Sequence, residues 1–166
     1  MRRRRRASAG TTKSGVPAIE NHQRAVRVAL PALREFLKRA KSAIGLNGDC
    51  VAVRLIDDRE MTCLNRTYRG KKKSTDVLSF PSEEHQGKPG GLKQQVRRAR
   101  GRFLGDIAMS PKVAQRNAES LGRTMPEELK VLILHGLLHL LGYDHETDRG
   151  EMERIEMRLR RRLGIA

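Results

Sequence analysis

Apolar residues recur at helical spacing through Leu33, Phe36, Leu37, Ala40 and Ile44. That stripe predicts one buried helix face. Pro31 suits its first turn and Gly45 its end. Upstream, Ile19–Val28 admits an initial strand, and the valine-rich run Cys50–Ile56 reads as another. Asp57 or Asp58 can then cap a short helix with Met61, Leu64 and Tyr68 on one face. Val77–Phe80 is a short strand closed by Pro81, and Phe103–Met109 is the next. Ser110-Pro111 begins a helix that Gly122 ends, and Thr124-x-x-Glu127 forms a capping-box pattern. This box opens the helix that carries Leu129, Leu132, Ile133, His135 and His139. Asp148-x-x-Glu151 opens a last helix with Met152, Ile155 and Leu159 as its buried face. Strands and helices mixed without strict alternation predict an α+β fold.

Length and composition narrow this picture. A chain of 166 residues suits one domain with one core. Hydrophobic residues make up only 37% and charged residues 33%, but much of the polar excess sits in two stretches. Residues 1–15, with Arg2–Arg6, read as a disordered basic arm, leaving 16–166 as the folded domain. The Gly/Pro/Lys/Arg stretch from about Pro81 to Arg102 reads as a basic loop. The formal charge of +16 favours a polyanionic partner, nucleic acid before membrane. The longest apolar run, Val131–Leu134, is far too short to cross a bilayer. No secretory signal is visible, and Cys50 and Cys63 form no Cys-x-x-Cys pair, so a cytoplasmic protein with free thiols is expected.

The chemistry concentrates in HGLLHLLGYDH, His135 to His145. Residues four apart on a helix share a face, so His135 and His139 can aim at one point. Gly142 can end the helix in the left-handed conformation and let the chain return His145 to that point. Three neutral imidazoles with an open fourth position describe a catalytic metal site. Zinc is the default ion, with nickel or another divalent metal also compatible. The spacing parallels the metzincin protease pattern H-E-x-x-H-x-x-G-x-x-H. However, Gly136 stands where such proteases keep their general base, which argues against peptide hydrolysis.

Two further stretches carry candidate groups. In NRTYRGKKKSTDVLSFP, Asn65 to Pro81, Arg69 at a helix end can clamp a phosphate through two parallel hydrogen bonds. Lys71, Lys72 and Lys73 read as solvated or nonspecific phosphate contacts. In LGDIAMS, Leu104 to Ser110, Asp106 could orient a metal-binding histidine, although a turn or cap role suits it better.

These three motifs, in this order, resemble the YbeY endoribonucleases, the ribosomal-RNA maturation factors of bacteria. The resemblance runs from about Asp49 to the C-terminus. HGLLHLLGYDH, including the glycine after its first histidine, is close to diagnostic of that family. The resemblance implies a small α+β domain with a mixed sheet and a zincin-like metal helix. It implies a single-strand-specific, zinc-dependent endoribonuclease that matures the 3′ end of small-subunit ribosomal RNA and serves ribosome quality control. By motif, the metal ligands fall on His135, His139 and His145, and the family's important arginine falls on Arg69. The implied partners are single-stranded RNA and the ribosome or its small subunit.

Two other classes fit parts of the sequence. A metalloprotease is supported by the histidine spacing and opposed by Gly136. A noncatalytic ribosome-assembly protein with a structural zinc is supported by the basic charge and opposed by the open coordination position. With only three Phe, two Tyr and no Trp, base-stacking platforms are expected to be scarce.

Overall fold

The computed structural model describes residues 18–48, 50–83 and 90–165. The basic arm lies outside the described residues. In chain order the elements are β1 (Ile19–Asn21), α1 (Leu30–Ile44), β2 (Val51–Leu55), α2 (Asp58–Arg69) and β3 (Val77–Pro81), followed by α3 (Leu92–Ala99), β4 (Gly105–Met109), α4 (Pro111–Ser120), α5 (Met125–Leu140) and α6 (Glu151–Leu163). The strands form one sheet in the order β1-β2-β4-β3. β2 runs parallel to β1 and to β4, while β3 pairs antiparallel to β4 on the outside. The expected α+β domain with a mixed sheet is what the chain forms.

The apolar stripe of α1 behaves as its spacing requires: Leu33, Phe36, Leu37, Ala40 and Ile44 are all buried. Each large side chain among them gains about 1.5–3 kcal/mol from leaving water. Alternation along the strands then divides the core into two parts. Ile107 and Met109 of β4, with Val53 and Leu55 of β2, join the main core beneath α1, α5 and α6. Ala108 points the other way and meets Ile56, Met61 and Leu78 in a smaller cluster closed by α2. α5 touches α1, α4, α6, β3 and β4. It is therefore apolar nearly all round, with ten of its residues buried, as a central helix must be.

One sequence expectation is corrected and two are refined. The Pro81–Arg102 stretch is not all loop, because α3 occupies Leu92–Ala99. Val96 and Ala99 enter the core while Lys93 and Arg97 stay in solvent, so a short amphipathic helix lies inside a stretch whose composition reads as loop. Tyr68 shares a face of α2 with Met61 and Leu64, through its contact with Phe80, but burial along that face stops before it. Met61 is buried and Leu64 half-buried, but Tyr68 is 65% exposed. Asp148 does prepare α6, though from outside it: its carboxylate accepts from the backbone N–H groups of Gly150 and Met152, and the helix begins at Glu151.

Candidate metal centre

The local structure that assembles the histidines starts at Thr124. Its hydroxyl accepts from the Glu127 N–H and the Glu127 carboxylate accepts from the Thr124 N–H, so both halves of the capping box form. The helix runs to Leu140 and ends at Gly142, whose φ is +95°. The Gly142 N–H donates to the His139 carbonyl at 2.9 Å and the Tyr143 N–H to the Leu138 carbonyl at 3.1 Å. This pair of bonds is a Schellman motif, and it reverses the chain. Asp144 then builds the next turn: its side chain accepts from the Glu146 N–H, and its carbonyl from the Thr147 and Asp148 N–H groups. His145 sits at the head of that turn.

The three imidazoles converge. The His135 and His139 ring centroids lie 4.6 Å apart, and His145 lies 5.2 and 5.4 Å from them. One ring nitrogen from each falls within 4.8 Å of the other two. The facing pair is Nε2 of His135 and Nε2 of His139, 3.0 Å apart. Nitrogens that share a tetrahedral zinc at its usual bond length stand about 3.3 Å apart, so a small adjustment of His145 would complete such a site.

The charge states suit a cation. Glu156 on α6 lies 2.8 Å from His135 Nδ1, and a proton on Nδ1 leaves Nε2 free to act as a ligand. Arg160 in turn holds Glu156 at 3.0 Å. Burial, and then the neighbouring His135 and His145, push the pKa of His139 down to about 4. Asp144 and a hydrogen bond with the Tyr143 backbone act in the opposite direction without offsetting this. His139 is therefore neutral at pH 7, the form that binds a metal. The three nitrogen donors, the neutral state of His139 and the carboxylate behind His135 all fit a divalent ion.

Sequence reasoning missed Glu156. The group considered for its role, Asp106, lies on the other face of the sheet. Ile107 faces α5, so its neighbour Asp106 must face away, where burial raises its pKa and Arg54 partly opposes the shift. Nor does Asp106 hold a turn, since it pairs within the sheet opposite Ala52 and Phe80.

Gly136 has a steric reason. A Cβ at that position would lie 2.8 Å from Ile107 Cδ1 and 3.1 Å from Ile107 Cγ2. Its carbonyl also accepts from the Ser79 hydroxyl of β3 at 3.3 Å. α5 therefore presses directly on the sheet beside His135, and a protease-type glutamate at 136 has no room.

Arg69 is carried by a different element, α2. It occupies the last residue of α2, exposed, and makes no hydrogen bond or ion pair among the described residues. A cavity of about 920 Å³ opens beside the Gly142–Asp148 loop between α3 and α6, but none of the three histidines lines it.

Comparison with known proteins places the chain in a family. The model described as endoribonuclease YbeY matches residues 14–164, so the likeness extends upstream of Asp49 to nearly the whole chain. The chain is 44% identical over 128 residues to endoribonuclease YbeY of Aquifex aeolicus, covering 77% of each protein. It is 43% identical to that of Koribacter versatilis, over 83% of this chain and 80% of the relative. The solution structure of TM1509 from Thermotoga maritima superposes with a TM-score of 0.55 at 29% identity, covering 87% of both chains. With the motif histidines converging on one point and a match of this extent, the chain belongs to the YbeY endoribonuclease family.

Proposed function

We propose that this protein is a zinc-dependent endoribonuclease specific for single strands. It acts in the cytoplasm on the 3′ end of small-subunit ribosomal RNA and in ribosome quality control, with the ribosome or its small subunit as partner. The observation that carries this reading is the convergence of His135, His139 and His145, with Glu156 behind His135, in a member of this family. Nickel or another divalent ion would satisfy the same nitrogen donors. When bound, the ion supplies Lewis-acid activation of water or of a phosphoryl oxygen.

The chain's own residues would do the rest. Neutral His139, the Nε2 atom of His135 and a ring nitrogen of His145 would hold the ion, with Glu156 keeping the His135 proton on Nδ1. Arg69 neutralises charge that develops on the scissile phosphate. The basic arm 1–15 and the cations of the 81–102 stretch add sequence-independent attraction to RNA. No side chain at 136 can act as a base. RNA carries a nucleophile of its own in the 2′-hydroxyl, and the proton of either that hydroxyl or water would have to pass to an acceptor other than residue 136. Whether that hydroxyl or water attacks is read from the product, as a cyclic phosphate or a 3′-hydroxyl end.

The test is cleavage of a labelled single-stranded RNA by wild-type and His139→Ala protein, with bound metal quantified in both. Metal and cleavage lost together support the proposal. Undiminished cleavage by the variant after chelation would overturn it.

A further inference from the structure

The sequence contains few aromatic residues, and one of its five Phe and Tyr side chains stands in solvent. Tyr68, in the last turn of α2, is 65% exposed. It is not adrift: its ring makes a T-shaped contact with Phe80 of β3, with centroids 4.9 Å apart and planes at 69°. Such contacts orient a ring while leaving most of its surface open.

Cations follow it along the chain. Lys71, Lys72 and Lys73 follow within five residues, all exposed, and their side chains make no hydrogen bond or ion pair among the described residues. Their backbone is fastened to the fold. The buried Asn65 donates from its side chain to the Lys73 carbonyl at 2.8 Å, and its own carbonyl accepts from the Lys71 N–H. The lysines therefore lie on an anchored loop beside the ring.

We propose that Tyr68 is a stacking platform for one unpaired base of a single-stranded RNA, with Lys71, Lys72 and Lys73 holding the phosphates next to that base. Unpartnered charge of one sign beside an exposed, oriented ring is the pairing that single strands recognise: cations follow the backbone, and any base can cover the ring. A base inside a duplex is already stacked and paired, so the platform selects unpaired strands. The outer strand β3 links it to the metal centre. Phe80 faces Tyr68, and the preceding Ser79 bonds the carbonyl of Gly136, next to His135. A strand that reaches both must pass over this outer strand, which a flexible single strand can do. The inference rests on RNA being the substrate and names the contact that chooses single strands.

The experiment is binding of a labelled oligoribonucleotide, and of an equally long strand with abasic positions, in the presence of chelator so that cleavage does not interfere. Wild type is compared with Tyr68→Phe and Tyr68→Leu, the latter keeping apolar contact with Phe80 but no ring. Tyr68→Leu is expected to lose about tenfold in affinity for the base-bearing strand and almost nothing for the abasic one, while Tyr68→Phe binds like wild type. A Lys72→Ala, Lys73→Ala double variant should instead weaken both strands and lower the salt slope by about 1.4. Tyr68→Leu binding the base-bearing strand as wild type does would overturn the platform and leave the RNA reading intact. Wild type binding neither strand would overturn the RNA reading itself.

Discussion

His135 donates from Nδ1 to Glu156 across 2.8 Å, although 21 residues of chain separate them. One partner is on the central helix and the other on α6, so the protonation of the metal-facing nitrogen depends on how α6 docks. Replacing Glu156 with glutamine should weaken zinc about 10- to 100-fold, the usual effect of losing such a carboxylate, with little change in the fold. Competition against a chelator of known affinity measures this, and unchanged affinity would show that the contact does not orient the ring.

The seat of α5 against β4 makes a second prediction. Alanine at 136 gains up to about 1 kcal/mol of helix propensity over glycine. It also forces a methyl group into Ile107, whose nearest atom is 2.8 Å away. Overpacking typically costs about 1–3 kcal/mol, so a net loss is expected in urea unfolding. Ile107→Val removes Cδ1, that nearest atom. The double variant should therefore be more stable than the sum of the two single losses implies; strict additivity would show that the contact does not matter.

Acid should destabilise the metal-free protein through His139. Its folded-state pKa of about 4 lies below the 6.5 of an ordinary histidine. Between those values the unfolded chain binds more protons, so stability falls as pH drops from 6.5 towards 4, at most by about 1.4 kcal/mol per pH unit for this group. Below pH 4 this contribution flattens. Unfolding of wild type and His139→Leu across this range isolates it, and parallel pH curves would contradict it.

Arg69 is exposed and unpaired among the described residues, so Arg69→Ala should leave stability within about 0.5 kcal/mol of wild type. If the side chain stabilises the transition state, cleavage should fall by about 10²–10³-fold, with bound metal unchanged. Loss of metal in that variant would mean that Arg69 supports the centre structurally.

Periodicity reveals much of this fold. The five apolar positions of α1, the capping box of α5 and the glycine that ends it can all be read directly, because each is a local pattern with a local cause. α3 is hidden because the Lys-Pro-Gly-Gly sequence before it masks the spacing of Leu92, Val96 and Ala99. Glu156 is harder to see, since its partner lies on another helix. One signal was present: residues 152, 156, 159 and 163 form a single stripe of α6, and Glu156 is the lone acid among Met152, Leu159 and Leu163, all of which are buried. Asp106 is ruled out by strand parity once Ile107 is known to face α5. Tyr68 fits the apolar spacing of α2 but lies at its last turn, where it touches Phe80 at the rim of the small cluster and stays exposed.

The histidines also differ in how deeply they are set. His135 and His139 belong to a helix held on several sides, whereas His145 rides an exposed turn fastened mainly through Asp144. Such a turn can open locally without disturbing the core. For any cation held between them, exchange with solvent would then be timed by this gate, and a chelator could strip the ion while the rest of the domain stays intact.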